Sequence, residues 1–262
     1  MTTVAILNQK GGVGKTTVAL GFASAAQAAG VTTLVVDLDP QANATYALRP
    51  VLEADSLYAS DVLLANEEAF AADAVHPSGW GLEVDILPST SHLQSFESAQ
   101  LRKDPDTRLK MALSGTTDDY GLVIIDCAPS LGRLTRNALA AADIVLVVTE
   151  PFALSLRGID AVELEIASVA ATTNPGLVLD GVIVNKMPPR GIEAQMRTEE
   201  LGKMVGKRHV WHPYIPNRVV LSEAIGDDTP IHWWGYRSQD VTEVFDKLFA
   251  KLRRTVHQKQ SS

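Results

Sequence analysis

Six short runs of this chain are mostly apolar: TVAIL at 3–7, TLVVDLD at 33–39, EVDILPS at 83–89, GLVIIDCAPS at 121–130, DIVLVVTEP at 143–151 and GVIVNK at 181–186. A strand with one wet face alternates apolar and polar side chains, because successive residues point to opposite faces. Runs rich in Val and Ile with little alternation read instead as strands buried on both faces, the habit of a parallel sheet covered by helices. Helical segments lie between them, among them the Ala-rich 15–29 and 135–142. Strands alternating with helices imply βαβ units. The expected fold class is α/β, a doubly wound, mostly parallel sheet with helices on both faces. One domain is expected over 1–256, with a flexible tail at 257–262. Segments 50–82 and 98–118 read as helices and loops on one side of the sheet.

Composition narrows the function classes. With 262 residues the chain is long enough for a well-buried core, and 46% apolar with 21% charged residues is an ordinary globular balance. The net charge of −8 means that any nucleic-acid contact must come from a local patch, concentrated by oligomerisation. Cys127 is the only cysteine, so neither a disulfide framework nor a multi-cysteine metal site forms within one chain. The N-terminus reads as a short apolar strand rather than a signal peptide, and no apolar stretch reaches membrane-spanning length. A cytosolic location is expected.

GGVGKTT at 11–17 follows one strand and opens one helix, the context a phosphate-binding loop requires. Glycines let backbone N–H groups curl around β- and γ-phosphates, and the helix N-terminus adds a favourable dipole. Gly11, Gly12, Val13, Gly14, Lys15, Thr16 and Thr17 are the expected nucleotide contacts. Lys15 neutralises phosphate oxygens, and the Thr16 hydroxyl ligates Mg²⁺. The spacing departs from GxxxxGK[ST], however: Gln9 stands where the first glycine is due, and Lys10 follows.

KGGVGKTT resembles the deviant Walker A motif of the ParA/MinD family of dimerising ATPases. The resemblance implies a P-loop NTPase with ATP and Mg²⁺ as ligands. It also accounts for the second lysine. By this resemblance Lys10 reaches the phosphates of ATP bound to the partner protomer, much as an arginine finger supplied in trans does. VVDLDPQANAT at 35–45 matches the family's D-x-D-P-Q-x-N at Asp37, Asp39, Pro40, Gln41 and Asn43. By carry-over Asp39 positions the attacking water and Asp37 supports the Mg²⁺ shell. Taken alone, the same residues also suit a helix cap after a strand. LVIIDCAPSLG at 122–132 has the Walker B form, four apolar residues and then Asp126, which holds Mg²⁺ through water. Ala128 stands where the family has proline, and Cys127 reads as a small apolar filler. Downstream, VIVNK and YIPNRVVLSEA resemble the adenine-side segments and nominate Asn185, Pro216, Asn217 and Arg218, the last two in swapped order relative to the family.

Family members differ in the surface they hold. Residues 186–218 carry seven cations (Lys186, Arg190, Arg197, Lys203, Lys207, Arg208, Arg218) against three carboxylates (Glu193, Glu199, Glu200), a local excess of +4. That suits nonspecific DNA binding by an ATP dimer released by a ParB-like partner; an ordinary solvated helix face reads the same way. DVTEVFDKLFAKLRRTVHQ at 240–258 spaces Val241, Val244, Phe245, Leu248, Leu252 and Val256 helically, with Lys247, Lys251, Arg253 and Arg254 late. It reads as a core-packed last helix, with a MinD-like membrane helix as the alternative. IHWWGYR at 231–237 is either a partner contact or loop packing. A metabolic ligase on the same scaffold is a further rival, and a cluster-bridging reductase lacks the cysteines. A nucleoid-associated positioning ATPase is the reading these features favour.

Overall fold

The computed structural model describes residues 2–101, 103–153 and 158–260, the last four by backbone only. Its strands are β1 Thr3–Leu7, β2 Thr33–Leu38, β3 His76–Pro77, β4 Val84–Leu87, β5 Leu122–Cys127, β6 Ile144–Thr149, β7 Leu179–Val184 and β8 Val210–Trp211. The helices are α1 Lys15–Ala28, α2 Asn43–Leu48, α3 Ala59–Ala65, α4 Leu93–Ser98, α5 Arg108–Leu113, α6 Arg133–Ala141, α7 Ile159–Ala170, α8 Ile192–Met204, α9 Val219–Gly226 and α10 Gln239–Gln260. One sheet holds all eight strands in the order β3-β4-β2-β5-β1-β6-β7-β8. Every pairing is parallel except β3 with β4.

The six apolar runs all form strands, and the reason is visible in β1. All five of its residues are buried. Val4 and Ile6 join one apolar cluster with α1 and α10, while Ala5 and Leu7 join the other with α3 to α7. With helices on both faces no position faces water, so alternation disappears. The sequence expectation missed β3 and β8. Each is a two-residue strand at a sheet edge, too short to carry a periodic pattern.

The chain reverses at β1, with β5 on one side and β6 on the other. Loops leaving β1, β2 and β5 therefore converge at one carboxyl end of the sheet, the place where open α/β sheets bind ligands. Parallel register sets Asp37 of β2 beside Asp126 of β5.

The last helix packs on the core. Val241, Phe245, Leu248 and Leu252 are buried, and Val244 and Val256 lie partly buried against the same cluster. The Phe245 ring meets Phe22 of α1 edge-on, centroids 6.3 Å apart, and a Cβ at Gly21 would overlap it. The apolar stripe is thus occupied by protein. Among the described residues no helix is long and apolar enough to cross a membrane. The helix backbone continues through 257–260 of the expected tail, and 261–262 lie outside the described residues. The aromatic segment divides: Trp234 packs against the core with the Arg237 guanidinium over its ring, whereas Trp233 and Tyr236 are 62% and 89% exposed.

Candidate nucleotide site

The phosphate loop joins β1 to α1. Its turn needs left-handed backbone at Gly12 (φ 81°) and Gly14 (φ 89°), where side chains are strained. At Gly14 the space is closed too, because a Cβ would strike the Asn185 side chain. Asn185 donates from Nδ2 to the Val13 carbonyl at 2.9 Å, so the end of β7 braces the loop from behind. Beside it opens a cleft of about 520 Å³ lined by Gly11, Gly12, Gly14, Lys15, Thr16, Thr17, Asp39 and Lys186 among others. Tyr46, Ser222 and Ile225 line its far side.

Charge in this cleft is concentrated and partly buried. Lys15 is 7% exposed. Burial pulls its pKa below the usual lysine value, and the Asp126, Cys127 and Asp39 side chains oppose that shift. Asp126 is fully buried. Its Oδ2 accepts from the Thr16 hydroxyl at 2.6 Å, while Oδ1 has no hydrogen-bond partner. Burial first, and then the Asp37 charge, push the Asp126 carboxyl well above the ordinary range; Thr16 and Lys15 pull it back. Asp37 accepts from the backbone N–H and the hydroxyl of Thr45, both at 2.8 Å, and from the Asp39 N–H at 3.1 Å. Burial still outweighs these bonds and raises its pKa to about 6. Asp39 caps its own loop, with Oδ1 accepting from the Gln41 N–H and its carbonyl accepting from the Ser89 hydroxyl.

A buried carboxylate oxygen without a partner, next to a threonine hydroxyl, fits a divalent cation with its water shell. Among the described residues no group of three or more His, Cys, Asp or Glu side chains could hold a metal ion. Thr16 and Asp126 offer the one or two protein oxygens through which Mg²⁺ binds, with substrate phosphates and water completing its shell. Cys127 is buried, and burial drives its thiol pKa upward, as expected of a filler.

The downstream nominees are drawn together only in part. Met187 N–H donates to the Ile215 carbonyl and Asn217 N–H to the Met187 carbonyl, which sets 215–217 beside 185–187. Asn185 is buried with Oδ1 unpartnered, and Pro216 stands across the Met187 bridge. Asn217 and Arg218 are exposed, and Arg218 pairs with Asp240 of α10 at 3.3 Å. The lining of the cleft on that side comes instead from Lys186, Ser222 and Ile225. Sequence reasoning placed Lys186 in the basic patch. In the structure its ammonium donates to the Gly12 carbonyl at 2.5 Å and pairs with Glu150 at 2.7 Å. Glu150, which no motif covers, also lies 4.0 Å from the Lys10 ammonium. The patch is further thinned at Arg197, held by Glu200 and Glu193.

Loop, carboxylates and sheet order together define a P-loop nucleotide-binding protein. A family model described as an AAA domain matches residues 1–179. The chromosome partitioning protein ParA of Myxococcus xanthus is 33% identical over 237 residues, 90% of this chain and 82% of that protein. The sporulation initiation inhibitor protein Soj of Bacillus subtilis is 33% identical over 245 residues, 93% and 95% of the two chains. Among solved structures, cobyrinic acid a,c-diamide synthase from Mycobacterium smegmatis with bound ADP and magnesium superposes with a TM-score of 0.81 at 29% identity, covering 100% of this chain and 97% of that one. The chain belongs to the ParA/MinD family of ATPases, on its ParA side.

Proposed function

We propose that this chain is a cytosolic, nucleoid-associated positioning ATPase, a single domain over 1–256 that binds Mg²⁺–ATP, dimerises around it and holds nonspecific DNA until a ParB-like partner stimulates hydrolysis. The observation that carries the reading is the site itself: a glycine-strained phosphate loop with Lys15 and Thr16 inside, and Lys10 at its mouth. In it, Gly11 to Thr17 bind the phosphates. Thr16 and Asp126 would hold Mg²⁺, with Asp37 behind them, and the ion would supply positive charge to the phosphates. Lys15 neutralises the same oxygens from a desolvated position, where its charge counts for more than in water. Asp39 orients the attacking water. By the family resemblance Asn185, Pro216, Asn217 and Arg218 belong to the adenine side, where Lys186, Ser222 and Ile225 line the cleft. Lys10 crosses to the partner's nucleotide.

The relatives support partitioning as the function, and the buried stripe of α10 removes the feature that favoured a membrane. The metabolic ligase rival sits poorly with DLDPQAN at 37–43, which matches the positioning ATPases. The test is co-sedimentation of the Asp39→Ala variant with DNA in ATP, ADP or no nucleotide at two salt concentrations. Binding confined to ATP and falling steeply with salt is expected. Absence of DNA binding by a dimer verified by light scattering would transfer the reading to a membrane or a polar protein scaffold, with Trp233 and Tyr236 as the surface to probe.

A further inference from the structure

Glu150, one residue beyond β6, is a charge hub at the rim of the phosphate loop. Oε1 lies 2.7 Å from Lys186 Nζ and Oε2 lies 4.0 Å from Lys10 Nζ. Its side chain is only 14% exposed, while those of the two lysines are 43% and 39% exposed. Lys186 is held tightly: its ammonium also donates to the Gly12 carbonyl at 2.5 Å, and its backbone takes a left-handed φ of 53° at the end of the β7 run. A non-glycine residue keeps such a conformation only where its surroundings over-determine it. Three lysines, 10, 15 and 186, therefore converge on one loop. Bound phosphates supply their counter-charge when nucleotide is present. Glu150 supplies part of it when nucleotide is absent.

The two ion pairs are unequal. Lys186 is within hydrogen-bond distance, and Lys10 is at the outer limit of an ion pair. For Lys10 to reach a partner protomer's phosphates it has to leave Glu150. We propose that Glu150 is a positioning residue that retains Lys10 on its own protomer and sets the nucleotide threshold at which the dimer closes. This rests on the reading of Lys10 as a contact made in trans.

The experiment is light scattering against a titration of non-hydrolysable ATP analogue for the full chain, Glu150→Gln and Glu150→Asp, repeated for Lys10→Ala and for Lys10→Ala with Glu150→Gln. Nucleotide affinity is measured alongside at protein concentrations that keep the chain monomeric. With the pull of the carboxylate removed, Glu150→Gln is expected to dimerise at an analogue concentration about threefold to tenfold lower, the scale of a partly exposed ion pair lost on each of two protomers. Glu150→Asp restores the charge and is expected to return the midpoint toward that of the unmodified chain. In the Lys10→Ala background, Glu150→Gln is expected to leave the midpoint unmoved. If Glu150 only braces the fold, its substitution weakens nucleotide binding and dimerisation together in both backgrounds, and the proposal is overturned. It is also overturned by an unchanged midpoint in Glu150→Gln when the unmodified chain dimerises. If the unmodified chain never dimerises with the analogue, the dimer reading falls and the latch with it.

Discussion

Asp37 and Asp126 sit side by side because parallel register leaves them no other choice, and each is buried. Two carboxylates in such a place are held ionised by a cation, or else bind protons more tightly than usual. Asp37 does the latter in the nucleotide-free chain, with its pKa raised from 3.8 to about 6. The sign follows from linkage. The folded state binds this proton more tightly than the unfolded state, so the group's contribution is fully present below pH 3.8 and is lost as pH rises through about 6. Comparing urea stability of the chain with Asp37→Asn from pH 4 to 7 reads it together with the Asp126 carboxyl, whose pKa the Asp37 charge raises. The unmodified chain is expected to lose about 2 kcal/mol relative to the variant across that window. The difference in slope is the readout, since Asn also forfeits part of the hydrogen bonding to Thr45. Equal slopes would show that Asp37 titrates normally. Lys15→Ala tests the other half of the site. Removing a desolvated cation from phosphate contact is expected to weaken nucleotide binding by about 2–3 kcal/mol, roughly thirtyfold to more than a hundredfold, measured by calorimetry. Unchanged affinity would remove the phosphate loop from its assigned role.

At the scale of elements, the last helix separates two readings that its sequence alone left open. An apolar stripe spaced for a membrane and one spaced for a core look the same, because the period records only that one face is apolar. Phe245 decides it here by its contact with Phe22 and Gly21. Phe245→Ala is expected to cost about 3–5 kcal/mol of urea stability, as a large buried side chain does, whereas Arg253→Ala on the exposed face moves it little. A soluble, equally stable Phe245→Ala protein that lost affinity for liposomes would restore the membrane helix. The same logic explains what was legible. Strands buried on both faces announce themselves by composition, and the phosphate loop by glycines that its backbone requires. Glu150 has no such mark, since a glutamate after a strand is ordinary until the fold brings Lys10 and Lys186 to it. Lys186 reads from sequence only as a member of the basic patch, because sequence shows a charge but not its partner.

For the whole molecule the open matter is how a chain of net charge −8 would hold DNA. Of the seven cations between 186 and 218, Lys186, Arg197 and Arg218 already have carboxylate partners. Lys203, Lys207 and Arg208 are exposed at the end of α8 and the turn beyond it, and Arg190 is exposed just before that helix. A cation committed to a carboxylate gives up an ion pair before it meets a phosphate, so it displaces fewer counterions for the same free energy. The slope of log affinity against log salt counts neutralised phosphates, about 0.9 for each on duplex DNA. Lys203→Ala and Arg208→Ala together are therefore expected to reduce that slope by about two per protomer engaged. Affinity at low salt should fall alike for unrelated DNA sequences, since phosphate contacts carry no sequence information. Arg197→Ala is expected to change the slope by much less. A larger loss from Arg197→Ala than from the exposed pair would mean that the α8 ion pairs open on DNA and that the binding face lies along the helix rather than at its end.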